Sequence, residues 1–297
     1  MFERILIPLD GSEIAEMAVP YGEELGIRLG SELILYHVHG QEKQELEHMH
    51  QAYLDKVAQT IKQTVRKGEA KDIKIKVTTK VESGEPAESI CNLVSKNNVD
   101  LILMAAVSAS GLKIGKMLGS VTDHVCHTVP VPVMLIRPQD AQRTAKKQKL
   151  ISDILIPLDG SILSKLALPV GEELANKLKI PINLYQMAHF IHPYGGESTP
   201  FADYQKLTEA EEEKVRAEMT GLERELKEQG FTATWDVTSG TDAADEIIKT
   251  SRLVDADLII MSTHGRSGLG HWVLGSVAEK VLRYGEISLL LVNARAS

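Results

Sequence analysis

Short apolar runs without alternation recur along the chain: Ile5-Leu6-Ile7, Leu33-Ile34-Leu35-Tyr36, Leu101-Ile102-Leu103-Met104 and residues 131–136. Longer stretches of helical period separate them. Runs that are apolar at every position, rather than at every second one, fit strands covered on both faces, which is the condition of a parallel sheet. Strand, helix and strand in repetition imply right-handed crossovers and an α/β, doubly wound, mostly parallel sheet of about five strands flanked by helices. In the second half the same reading starts strands near Ser152, Ile180, Phe231, Asp257 and Ile287. A polar insert over residues 189–204 precedes a helix expected at 208–229, with the Glu209–Glu213 cluster near its start.

The two halves are copies. A shift of 149 residues lays Ile5-Leu6-Ile7-Pro8-Leu9-Asp10-Gly11-Ser12 on Ile154-Leu155-Ile156-Pro157-Leu158-Asp159-Gly160-Ser161 with all eight positions identical, and 17 of the 32 positions from 5 to 36 agree. Later the shift grows: Asp100-Leu101-Ile102-Leu103-Met104 matches Asp257-Leu258-Ile259-Ile260-Met261, and Gly119-Ser120-Val121 matches Gly275-Ser276-Val277. A period this long makes each copy a whole domain rather than a solenoid unit. The division expected is 1–138, a solvated linker over 139–150 and 151–297. Arg137 and the basic residues up to Lys149 read as part of that connector.

Composition narrows the function. The chain has 297 residues, of which 43% are hydrophobic and 25% charged, so disorder, collagen and coiled coil are excluded. A net charge of −8 opposes binding to a phosphate backbone, so no nucleic acid is expected. The sequence shows neither an apolar run of membrane-spanning length nor a leader, and two cysteines, Cys91 and Cys126, make no disulfide framework. A cytoplasmic protein without a membrane partner is the expectation.

In an open parallel sheet, ligands sit at the carboxyl ends of strands where strand order reverses. Two segments of the second copy reach that place. In Pro157-Leu158-Asp159-Gly160-Ser161, the carboxylate of Asp159 can accept hydrogen bonds from a ribose, and Ser161 can cap the next helix. In Met261-Ser262-Thr263-His264-Gly265-Arg266-Ser267-Gly268, continuing to Gly275-Ser276, the glycines let backbone N–H groups approach phosphate oxygens, and a helix starting at Ser276 adds unpaired donors and the positive end of its dipole. Ser276-Val277-Ala278-Glu279 also has the form of a capping box, which accounts for Ser276 but not for the glycines before it.

With these residues in order, the chain resembles a tandem universal stress protein. ATP-binding members of that family carry Gly-x2-Gly-x9-Gly followed by Ser or Thr after strand four, and the second copy reads Ser262-x2-Gly265-x9-Gly275-Ser276, departing only at the first position. The resemblance implies an adenine nucleotide α-hydrolase-like fold and a stress-response regulatory protein. Its ligand would be ATP, AMP or ADP, with magnesium as a possible companion. It further implies that Asp159 contacts ribose, that backbone at Pro157 and Met187 borders adenine, and that Gly265, Gly275, Ser276 and Val277 surround the phosphates, with Leu158 in the same site and His264 and Arg266 adding charge-assisted contacts. The first copy keeps Asp10, Val38, Gly119 and Ser120 but has Ala105 and Ser108 where the pattern has glycines and one more loop residue, which implies weaker or lost binding there.

Other signals count for less. Gly115-Lys116-Met117 lacks the leading Gly and the Ser or Thr of a P-loop. The order Gly265-x2-Gly268-x-Gly270 reverses the dinucleotide fingerprint and follows strand four, so it gives little support to NAD. His37, His39, His48 and His50 fall within fourteen residues. Surface-exposed histidines are the expectation there and a metal site the alternative. Cys91 is expected in a helix core, and Cys126 beside His127 points away from it. His264 and His271 are the candidates for a base if the protein hydrolyses ATP, which would at best be slow. The third reading is a nucleotide-independent scaffold. Segments 131–133 and 287–289 would be edge strands, and the resemblance implies that they pair between domains and that the protein forms a homodimer.

Overall fold

The computed structural model describes residues 2–40, 47–67, 75–106, 118–138, 149–189, 201–265 and 274–293, with backbone alone at 65–67, 189 and 201–204. Contacts divide the chain into two compact units: Met1–Leu150 with Gly270–Val273 and Glu286–Ser297, and Ile151–Leu269 with Leu274–Gly285.

In the first unit, β1 (Arg4–Pro8) leads through the short helix α1 (Glu13–Glu16) and α2 (Val19–Leu29) to β2 (Glu32–His39). Then follow α3 (Glu47–Lys67), β3 (Val77–Ser83), α4 (Pro86–Asn97), β4 (Leu101–Ala105), α5 (Ser120–Thr128) and β5 (Val133–Ile136). The strands run in the order β3-β2-β1-β4-β5, all pairs parallel, so strand order reverses between β1 and β4. Every residue of β4 and β5 is buried, as runs apolar at each position require.

The second unit repeats the plan with β6 (Ile154–Leu158), a 3-10 turn (Ser164–Leu166), α6 (Ala167–Leu178), β7 (Ile182–His189), α7 (Phe201–Glu228), β8 (Ala233–Gly240), α8 (Ala243–Leu253), β9 (Leu258–Ser262) and α9 (Ser276–Tyr284). Its order is β8-β7-β6-β9, again parallel and reversing beside the first strand of the repeat. The repeated glycines at 22 and 171 have one cause. A Cβ at either would strike the Cδ1 of the isoleucine on the strand beneath, Ile7 or Ile156.

The strand β10 (Ser288–Val292) belongs by its contacts to the first unit and pairs antiparallel with β5, Leu289 opposite Leu135 and Leu291 opposite Val133. The edge that β5 would present is thereby paired. Asn293 Nδ2 donates to the Val129 carbonyl at 2.7 Å and fixes the strand's end.

Three local expectations are corrected. Helix α7 starts at Phe201 rather than 208, so Glu209 and Glu213 lie beyond its first turns and do not face the positive end of its dipole. Gly275 is the N-cap of α9, without a side-chain cap hydrogen bond; Ser276 is its first helical residue, and Glu279 pairs with Arg283 instead of reaching back. Cys91 is half-buried, whereas Cys126 is buried in α5. Among the described residues, no helix is long and apolar enough to cross a membrane.

Candidate functional site

In the second unit a cavity of about 260 Å³ opens where the strand order reverses. The end of β6 supplies Pro157, Leu158 and Asp159; the end of β9 supplies Met261, Ser262, Thr263, His264 and Gly265; α9 supplies Gly275, Ser276, Val277 and Ala278; Ala243 and Ile247 of α8 close one wall. The repeat placed these elements at one end of the sheet because every crossover returns the chain to the same edge.

The Asp-Gly-Ser turn is locally specified. Gly160 has φ +80 and its counterpart Gly11 has φ +85, a left-handed conformation that glycine adopts without strain. Asp159 Oδ1 accepts from the Ser161 N–H at 2.9 Å, and Ser161 Oγ accepts from the Ser164 N–H at 3.0 Å, just ahead of a 3-10 turn whose N-cap is Leu163 rather than the expected Ser161. Asp10 and Ser12 repeat the arrangement: Asp10 Oδ1 accepts from the Ser12 N–H at 2.9 Å, and Ser12 Oγ from the Ala15 N–H at 3.1 Å.

Across the cavity the chain crowds the same carboxylate. A Cβ at Gly265 would collide with Asp159 Oδ2, so a side chain there displaces either the carboxylate or the loop. Gly275 has φ −60, open to any residue, and its requirement is room: a Cβ would sit 3.2 Å from the Thr263 carbonyl oxygen, to which its own N–H donates at 2.8 Å. The first helical bond of α9, from the Glu279 N–H to the Gly275 carbonyl at 2.8 Å, leaves the N–H groups of Ser276, Val277 and Ala278 without an intrahelical acceptor. Lys280 anchors this helix start to α8 through Asp242 at 2.7 Å and Asp245 at 2.8 Å, and its ammonium holds the Asp242 carboxyl below the usual carboxylate range.

The departure at Ser262 has a structural use. Ser262 is buried, and its Oγ accepts from the His264 N–H at 3.3 Å, bending the chain as it leaves β9. The Thr263 hydroxyl and His264 Nδ1 lie 3.0 Å apart. Met187 is not among the described residues lining the cavity; its side chain packs over Gly240. Arg266, Gly268 and His271 lie outside the described residues, as do Ser108 and the segment Gly115-Lys116-Met117.

The first unit has a cavity of about 240 Å³ at the matching place, lined by Pro8, Leu9, Asp10, Tyr36, Val38, Met104, Ala105, Gly119, Ser120 and Val121 among others. All four residues that this copy retains, Asp10, Val38, Gly119 and Ser120, border it.

The histidines depart most from expectation. His37 and His39 are buried, not exposed, and only His48 of the four lies in solvent. The His50 ring stacks on His37 with centroids 4.1 Å apart and on His39 at 5.4 Å, and Tyr53 meets His37 edge-on at 6.4 Å. The rings meet face to face rather than aiming nitrogens at one point, and among the described residues no cluster of three or more His, Cys, Asp or Glu is placed to hold a metal ion.

The profile of the universal stress protein family matches residues 1–137 and again 151–293; the chain belongs to this family and carries its domain twice. A universal stress protein of Synechocystis is 27% identical over 149 residues, which is 47% of this chain and 96% of that relative. One of Mycobacterium tuberculosis is 21% identical over 208 residues, covering 70% of this chain and 66% of the relative. The crystal structure of a universal stress protein from Archaeoglobus fulgidus superposes with a TM-score of 0.63 at 19% identity, covering 99% of each chain, and supports the mostly parallel α/β fold.

Proposed function

We propose that the second unit binds an adenine nucleotide, alone or as its magnesium complex, and that the protein is a stress-response regulator whose state follows nucleotide occupancy. The observation that carries this reading is the convergence, on one cavity of about 260 Å³, of an acceptor, an apolar wall and a set of N–H donors without an intrahelical acceptor. Asp159 is the acceptor for the ribose hydroxyls. Pro157, Leu158, Ile247 and Met261 offer the apolar surface a purine needs. The start of α9, at Gly275, Ser276 and Val277, turns backbone donors and the positive dipole end to the phosphates. His264 stands at the same rim, and Arg266 and Gly268 follow it in the sequence.

Room in the cradle supports the same reading. Gly265 and Gly275 are the positions where a Cβ would fill space beside Asp159 and the 263–265 backbone. The first unit, with Asp10 and the Gly119-Ser120 helix start intact but Ala105 at the loop's entrance, is proposed to hold nucleotide more weakly.

The test is an equilibrium titration of nucleotide-free protein with a fluorescent ATP analogue. Asp159→Ala removes a charged acceptor worth about 1.5–3 kcal/mol, so affinity should fall roughly 10- to 100-fold. Unchanged affinity would remove Asp159 from the site.

A further inference from the structure

The first unit holds a feature that the nucleotide reading does not use. His37 on β2 is 6% exposed, and His50 of α3 covers it, ring on ring at 4.1 Å with planes 21° apart. A carbonyl can only accept, so the 2.8 Å contact of His37 Nδ1 with the Leu9 oxygen puts the proton on Nδ1 and leaves Nε2 as the place for a second one. That carbonyl matters because Leu9 and Asp10 border the first unit's cavity. Helix α3 is also tied to α1, the helix that follows this turn: the Tyr53 hydroxyl donates to Glu16 Oε1 at 2.8 Å.

We propose that the His37–His50 stack is a pH-sensitive latch: two neutral rings hold α3 on β2, and proton uptake separates them, loosening α3 and the Leu9–Asp10 turn at the first cavity. Neutral imidazoles attract face to face, whereas two imidazolium rings at the same spacing repel, and the buried member cannot shed its charge into water. Burial pushes the His37 pKa down, and the neighbouring His50 and His39 push the same way, against the Leu9 carbonyl and Asp10. Among the described residues, the groups that face the stack include Asp10 from the end of β1, Glu16 of α1 through Tyr53, His39 on β2 itself, and His50 and Tyr53 on α3. From β3 the residue paired with His37 is the apolar Val81, while Glu82 is engaged by Tyr36 and Lys80.

The second unit is the internal control. Gln186 stands where the repeat puts His37, and Ala188 where it puts His39. Along the covering helix, buried Leu54 and Ile61 correspond to buried Met219 and Leu226, and the Tyr53–Glu16 tie to the Glu218–Lys165 pair at 2.8 Å. This register puts Val215 at the place of His50. Gln186 and Val215 border an open cavity of about 380 Å³, and neither titrates.

Hydrogen exchange on the full chain tests the latch, with rates corrected for the intrinsic effect of pH. Between pH 7.5 and 5.0, protection of α3 should fall at least tenfold more than protection of α7. The double variant His37→Gln/His50→Val, which installs the second unit's own pair, should abolish the difference. Equal responses of α3 and α7, or a response that survives in the double variant, would overturn the proposal. The imidazole resonances of the unaltered protein decide the matter should the variant fold poorly: His37 and His50 should titrate together and with the α3 amides. Independent titration with unmoved α3 amides would overturn it equally.

Discussion

The carboxylate of Asp159 lies so close over Gly265 that a Cβ there would meet its Oδ2 unless the carboxylate or the loop moved. One residue follows the first strand of its unit and the other follows the fourth, so this contact closes the candidate site across the reversal of strand order. Gly265→Ala should therefore act as a small overpacking change, costing about 1–3 kcal/mol if the loop cannot yield. It should also lower nucleotide affinity roughly tenfold or more, because relief comes from displacing Asp159 or the loop. Calorimetry and thermal melting of the same variant check both. A normal melt with normal affinity would show that the approach is not needed.

Strand β10 provides a test of the fold. Leu290 is fully buried opposite Met134, in the unit formed mainly by residues 1–150. Leu290→Ala should cost about 2–5 kcal/mol, the range for a buried leucine truncated in a core. The loss should show as faster hydrogen exchange in β5, some 150 residues earlier in sequence; unchanged exchange of residues 133–136 would contradict the pairing.

Most of the framework is legible in the sequence because the repeat states it twice. The runs around Leu6, Leu103, Ile156 and Ile260 mark strands covered on both faces, and the identical Pro-Leu-Asp-Gly-Ser segments mark where the cavities open. The burial of His37 and His39 is hidden for the same reason that the strands are recognisable. With both faces of β2 covered, no alternation separates inside from outside, and a polar residue there looks like a surface one. Ser276 carries the signature of a helix cap, yet Gly275 takes that position because its N–H is drawn to the Thr263 carbonyl, a partner twelve residues upstream. The start of α7 is hidden because Gln205, Lys206 and Leu207 are all exposed, so no apolar stripe leads back from the periodic part of the helix to its first residues.

Removing one partner of the Lys280–Asp242 pair should move a titration. Asp242 is held low, first by its hydrogen bond with Lys280 and then by the Asp245 N–H, so its contribution is present above the unfolded value near pH 3.9 and disappears as pH falls through the lower folded value. In Lys280→Ala the Asp242 carboxyl should titrate nearer to ordinary aspartate, followed by NMR of the carboxyl carbon. No upward movement would mean that the pair does not persist in solution.

The lowered His37 pKa has a stability consequence of defined sign. In the window below the unfolded value of about 6.5, the unfolded chain binds the proton that the folded one excludes, so stability falls as pH drops through that window toward the folded pKa. Thermal melts from pH 7.5 to 5.0 should therefore show a steeper decline for the unaltered protein than for His37→Gln. Parallel declines would mean that His37 is as accessible to protons when folded as when unfolded.

Nucleotide binding in the second unit is what the regulatory role proposed for this protein depends on. The most direct measurement is calorimetric titration of nucleotide-free protein with Mg-ATP, comparing the unaltered chain with Gly275→Val and Gly119→Val. Saturation near one nucleotide per chain, lost with Gly275→Val and kept with Gly119→Val, is the predicted result. Absence of saturable binding, or binding indifferent to Gly275→Val, would mean that the second unit is not the nucleotide site.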